Sequence, residues 1–314
     1  MIRFVLFFIF ASSLLATDLV LKPGNLAAVL EQARKAPKPV RIVVEDGVHP
    51  ITETITLGKD DSQVTWSGKN SVFMAGKPIT GWQKAEGGLW KATLPDKTWK
   101  FEQLWINGRR ATLARSPNKG FFHITEAVAA DAFKGLSQNM NFHAFCIAKE
   151  QFAMLKAIPQ SERDDVLLTV THAWAVGQCR IQELNDEILG VRIKGRSRYP
   201  FVEFEPDQRW WVENFRSALD APGEWFLDKA KGEVLYQPLP GEDMTKAEVI
   251  APVVEKFLVM KGAHDVRFES LSFQYSQHLY PAEGLHDGQA ATTSDGAIES
   301  SLCFAVRFAL SASP

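Results

Sequence analysis

Between residues 40 and 75 the apolar side chains come in four short runs, at 40–45, 51–57, 64–67 and 72–75. Turn formers such as Asp46-Gly47, Asp60-Asp61-Ser62 and Ser67-Gly68 part them. Runs of that size are strands: a few β-branched and aromatic residues fill one half-buried pleated surface, and a Gly- or Asp-rich turn ends it. Turns recurring roughly every eight to twelve residues leave a sandwich, a barrel or a solenoid open. Ahead of them, residues 25–37 predict the clearest helix. Asn25 stands at its cap, Leu26, Val29, Leu30 and Ala33 form an apolar stripe, and Pro37 stops it. A stack of coils leaves unpaired backbone at its first rung, and an amphipathic helix laid over that end covers it. The helix therefore favours the solenoid.

The rhythm changes at residue 101. Residues 101–115 read as a hairpin, with Asn107-Gly108 as the tight turn between alternating strands. An antiparallel hairpin does not belong inside parallel coils, so a β-rich insertion is expected from 101 to 248. It holds a polar, partly helical stretch near 126–165 and strands near 166–170, 190–194 and 202–204. A second hairpin, 224–228 against 233–238, closes it. The charges of APGEWFLDKAKGEVLYQPLPGED (221–243) fall at turns, where they stay solvated, and mark scaffold rather than chemistry. From 249 the coil rhythm returns. Val266, Phe268, Leu271 and Phe273 are expected to face inward with a turn between Phe268 and Leu271, and 296–299 with 303–308 repeat the pattern after a loop of about two dozen residues, a length at which loops are often functional.

The first residues, MIRFVLFFIFASSLLATD, place one arginine before an apolar stretch and then small residues up to Ala16. That is the pattern of a cleavable secretory signal cut after Ala16, with Ser13 as the fallback and an uncleaved membrane anchor as the alternative. No other run approaches about 20 apolar residues, so the mature chain is expected to carry no membrane span and to be secreted or periplasmic. A formal net charge of −2 without a basic run argues against a nucleic-acid partner. A hydrophobic fraction of 46% with 23% charged residues excludes a disordered chain. The three cysteines, Cys146, Cys179 and Cys303, do not make a disulfide framework; a Cys146–Cys179 bridge and unpaired buried thiols both stay open. Nine Trp and 21 Phe are many, and aromatic rings both pack cores and stack on sugars.

A series of words spread along the chain carries a resemblance. They are EDGVHPI at 45–51, AGKPITGW at 75–82, GLWKA at 88–92, LWINGRRA at 104–111 running into ARSPN at 114–118, LDAPGEW at 219–225 and LYQP at 235–238. In this order they resemble the secreted right-handed parallel β-helix proteins related to glycoside hydrolase family 141, α-L-fucosidase-like and xylanase-like enzymes of bacterial polysaccharide degradation. The resemblance implies an all-β fold: a right-handed parallel β-helix (solenoid) with an N-terminal capping helix and an inserted β-rich domain. The expected organisation is a signal peptide at 1–16, the first coils with their cap helix at 17–100, the insertion at 101–248 and resumed, truncated coils at 249–314. It further implies catalytic carboxylates on coils beyond residue 308, so the chain is expected to be C-terminally truncated and catalytically incomplete. The expected partner is a polysaccharide or oligosaccharide, bound by a monomer without cofactor or metal. A non-catalytic carbohydrate-binding surface protein is the alternative, and a polysaccharide lyase the third reading.

Glycoside hydrolysis needs two carboxyl groups about 5 to 9.5 Å apart, one protonated and one ionised. The long loop 274–295 offers the richest local supply of polar groups, and its candidates for sugar binding are His278, Tyr280, His286, Asp287 and Asp295, with Glu299 on the following strand. The competing reading of each is a solvated loop residue that caps a turn. Trp210-Trp211 with Glu213-Asn214 admits a sugar-stacking role, though aromatic pairs usually pack. No histidine spacing fits a metal site, and no phosphate loop or nucleophile elbow is present.

Overall fold

The computed structural model describes residues 16–129, 131–133, 139–286, 288 and 295–309. They divide into two units. The first gathers the chain up to Ala75 with Lys256–Ser276 and the stretch from Ala297; the second gathers Gly76–Glu255 with Gln277–Gly296.

In the first unit the runs of 40–75 do form strands, and they pair in parallel. Thr17–Leu21, Val40–Val44, Val64–Met74, Val266–Gln274 and Arg307–Ala309 follow one another in one sheet, with Gly47–Pro50 also on Val64–Met74. Ile55–Leu57, Leu258–Lys261 and Ile298–Ser301 make a second, three-stranded parallel ladder. Parallel registers stack like on like: Trp66 lies on Phe268 with ring centroids 5.8 Å apart, Phe268 on Phe308 at 5.0 Å, and Phe73 on Phe273 at 5.3 Å. The turn expected within 266–273 is a bulge inside one continuous strand, where Ser270 takes φ 54°. The helix spans Leu26–Lys35 and buries Val29 and Ala33. Asn25 does not cap it; its Oδ1 instead accepts the Lys22 N–H at 2.8 Å. Arg34 grips Asp61 with two bonds, 2.8 and 3.1 Å.

The second unit is antiparallel nearly throughout. Asn107 and Gly108 both take positive φ, 51° and 75°, and turn Trp105–Ile106 back on Arg109–Arg110 as expected of a two-residue hairpin. The closing hairpin is Glu224–Asp228 on Glu233–Tyr236. Residues 202–204 form no strand. The centre of the unit is a closed ring of six strands. Arg209–Glu213 pairs with Phe122–Ala127, which pairs with Ala144–Ile147, then Gly190–Ile193, Val176–Asn185 and Leu167–Thr171; the last returns to Arg209–Glu213. The strand period of two puts Trp210 and Val212 inside, against Phe145, Phe201, Leu168 and Val170, while Trp211 and Glu213 point out. Burying each such ring or branched side chain contributes about 1.5–3 kcal/mol, so this interior dominates the unit's stability.

These pairings correct the expected fold class. The chain is all-β, with three helices among the described residues, but it is not a right-handed parallel β-helix solenoid: a closed six-stranded antiparallel barrel and mixed sheets carry most of it. Short strands with frequent turns suit a barrel as well as coils, and ring closure removes the sheet edges that coils must cover. Cys146 and Cys179 are free and buried rather than bridged.

Candidate functional site

The outer face of the barrel around Leu167–Thr171, Val176–Asn185 and Arg209–Glu213 is crossed by a strap, residues 277–286. Gln103, buried in the FEQLW segment, brackets its backbone: the side-chain amide donates to the His278 carbonyl at 2.6 Å and accepts the His278 N–H at 2.8 Å. Glu102 accepts the Tyr280 N–H at 2.7 Å, and its other oxygen takes Arg180 at 2.6 Å in a nearly buried ion pair. The strap ends as Gly284–His286, an added antiparallel strand on Val176–Asn185. Gly284 is required there, because at φ 89° a Cβ would stand 2.2 Å from the Gln178 carbonyl oxygen.

Tyr280 is part of this strap, its hydroxyl accepting from the Gln178 amide at 3.2 Å. Glu213 lies on the same face. Its Oε2 accepts from the Thr169 hydroxyl at 3.2 Å, and burial lifts its carboxyl above the usual range against the pull of Arg115 and Arg110. The Tyr280 hydroxyl is lifted too, by burial first and then by Glu213. A cleft of about 310 Å³ opens beside Tyr280, and its charges are paired across it: Arg180 with Glu102, Lys194 with Asp164 at 2.8 Å and Lys229 with Asp165. The face thus offers hydroxyl and amide groups beside a carboxyl raised by burial. Glu102, the other carboxyl at Tyr280, is committed to Arg180.

At the far end of the strap, His286 and Cys179 approach to 4.0 Å beside the buried His172. The orientation of His172 follows from Gln208, whose Oε1 accepts the Val202 N–H at 3.0 Å. Its Nε2 must then donate to His172 Nδ1, also at 3.0 Å, which leaves the imidazole proton on Nε2, facing the Ser197 hydroxyl at 3.5 Å. Burial, helped by His286, lowers the His172 pKa to about 4. Burial also keeps the Cys179 thiol protonated, so the Cys179–His286 contact is not a nucleophile pair. Among the described residues no group of three or more His, Cys, Asp or Glu side chains is placed to hold a metal ion.

The structure brings His278, Tyr280 and His286 together on the strap. Asp287 lies outside the described residues. Asp295 is exposed, and Glu299 sits in the first unit, in an ion pair with Lys256 at 2.7 Å. The anchors Glu102, Gln103, Gln178 and Arg180 were not expected. A lone buried glutamine inside an apolar run is the one trace that the sequence holds of them.

Residues 87–239 match the model of the GH141 insertion domain. No curated protein matches the sequence. Among solved structures, a glycoside hydrolase superposes with a TM-score of 0.69 at 20% identity, over 85% of this chain and 52% of its own. The likeness is one of fold, and the chain spans about half the length of that enzyme. A complex of XylC with xylose aligns over 80% of this chain and 32% of its own at 12% identity, with a TM-score of 0.32. The chain is thus all-β, with a stretch at 87–239 similar to the GH141 insertion domain and a fold similar to that of a glycoside hydrolase.

Proposed function

We propose that the chain is an exported, glycoside hydrolase-like carbohydrate-active protein that holds polysaccharide or oligosaccharide. The match of residues 87–239 to the GH141 insertion domain carries this reading. The strap site supports it: neutral Tyr280 and Gln178 groups and the raised Glu213 carboxyl are hydrogen-bonding partners for sugar hydroxyls. The same site argues for binding without cleavage. Glycoside hydrolysis takes one protonated and one available ionised carboxyl, and Glu102 is tied to Arg180 and the Tyr280 backbone. No helix among the described residues is long and apolar enough to cross a membrane.

The test titrates the full chain with oligosaccharides from plant and algal polysaccharides and assays aryl glycosides beside them. Saturable binding without turnover supports the proposal. Turnover at enzyme-like rates overturns the catalytic part of it, and neither binding nor turnover overturns the carbohydrate reading itself.

A further inference from the structure

One end of the barrel carries aromatic rings that its core does not use. Trp174 sits in the turn between Leu167–Thr171 and Val176–Asn185, a turn closed by the His172 N–H on the Ala175 carbonyl at 2.7 Å. Trp174 is 50% exposed and Phe204, from the loop before Arg209–Glu213, is 54% exposed. Their centroids are 5.7 Å apart, and Tyr199 meets Trp174 edge-on at 5.5 Å. Beneath them the contacts continue inward: Tyr199 on His172, His172 stacked on Phe201 at 5.8 Å, and Phe201 on Phe145 in the barrel core at 4.8 Å. The exposed pair is therefore backed by a packed column and held by the Gln208–His172 bonds.

Exposed aromatic rings that share a surface and pack on one another form a ready-made face for a stacking ligand. The loop that carries Phe204 also carries Glu203, Glu205 and Asp207. Glu205 Oε2 is covered and has no hydrogen-bond partner among the described residues. Exposed ring faces beside a carboxylate acceptor complement a pyranose, which presents a C–H face for stacking and hydroxyl donors at its rim. Three acids on the Phe204 loop, against Arg198 next to Tyr199, do not favour an anionic lipid surface. We infer that Trp174 and Phe204 form a second sugar platform at the barrel mouth, for a neutral pyranoside chain, with Glu205 accepting from a hydroxyl. The inference rests on the carbohydrate reading above and adds to it a site apart from the strap.

The experiment titrates the full chain with xylohexaose, cellohexaose and laminarihexaose by calorimetry and follows the Trp indole signals by NMR. Trp174→Ala and Phe204→Ala are each expected to weaken binding about tenfold, the size of loss typical of a buried aromatic anchor. Trp174→Tyr should restore most of it. Both positions are half in solvent, so melting curves should stay close to wild type and separate loss of binding from loss of fold. Wild-type binding that survives both alanine variants, with the Trp174 indole unmoved, overturns the platform and leaves the carbohydrate reading intact. No binding of any hexaose by the wild type overturns both. Binding to anionic vesicles in place of the sugars also overturns the platform.

Discussion

At the scale of single residues, two buried titrating groups set how stability answers to pH. His172 is lowered to about 4 in the fold, while an unfolded chain takes the proton near 6.5. Between those values the unfolded state binds more protons, so stability present above pH 6.5 is lost as pH falls toward 4, by an amount of order 2–3 kcal/mol. Thermal melts from pH 7.5 to 4.5 should show the decline, and His172→Gln should reduce it, leaving the part that His286, also lowered by burial, carries. Glu213 works in the opposite sense. Its carboxyl is raised in the fold, so its contribution is fully present below the ordinary glutamate value of 4.5 and is lost as pH rises through the higher folded value. Glu213→Gln should remove that loss and leave the protein at neutral pH no less stable than wild type; a clear drop in melting temperature at pH 7 would show the charged form to be the favoured one. The sequence marked Glu213 beside Trp210-Trp211 but not His172, and the burial of both comes from strands that meet only in the folded barrel.

At the scale of elements, the strap depends on one glycine and one glutamine. Gly284→Ala combines a left-handed backbone with a Cβ 2.2 Å from the Gln178 oxygen and should cost about 2 kcal/mol or more. Denaturant unfolding gives the size of the loss, and hydrogen exchange at the His278 and Tyr280 amides locates it. The sequence marked the strap region as a long polar loop rich in His, Tyr and acids, and His278, Tyr280 and His286 lie on it. It did not reveal the anchors, since the Gln103 amide meets a backbone 175 positions downstream. Local elements were easier to read. The Asn107-Gly108 turn and the hairpin across Lys229–Gly232 are set by residues next to one another, and both lie where turn chemistry puts them.

At the scale of the whole molecule, short strands with frequent turns correctly gave an all-β chain and left its closure undecided. The helix tipped the reading toward a solenoid, yet Leu167–Thr171 meets Arg209–Glu213 across some forty residues and shuts a barrel. A helix that covers a first rung also packs on any sheet, so it could not discriminate. The first described strand begins at Thr17, whose hydroxyl bonds the Pro37 carbonyl at 3.2 Å. Cleavage after Ala16 would leave that strand whole; if the proposed export holds, mass spectrometry of the mature protein should find Thr17 as its first residue, and a retained Met1 would overturn the signal-peptide proposal.

The path of the chain adds a consequence in time. After Glu255 it leaves the second unit, spends Lys256–Ser276 in the first, and only then returns as the strap. On a ribosome the six barrel strands are complete by Glu213, but the segment that carries Tyr280 and pairs with Val176–Asn185 emerges about seventy residues later, several seconds at ordinary elongation rates. Through that interval the Glu102–Arg180 pair and the flank of Cys179 stand uncovered. The nascent barrel therefore carries, for that interval, an open strand edge and a face that the finished protein covers.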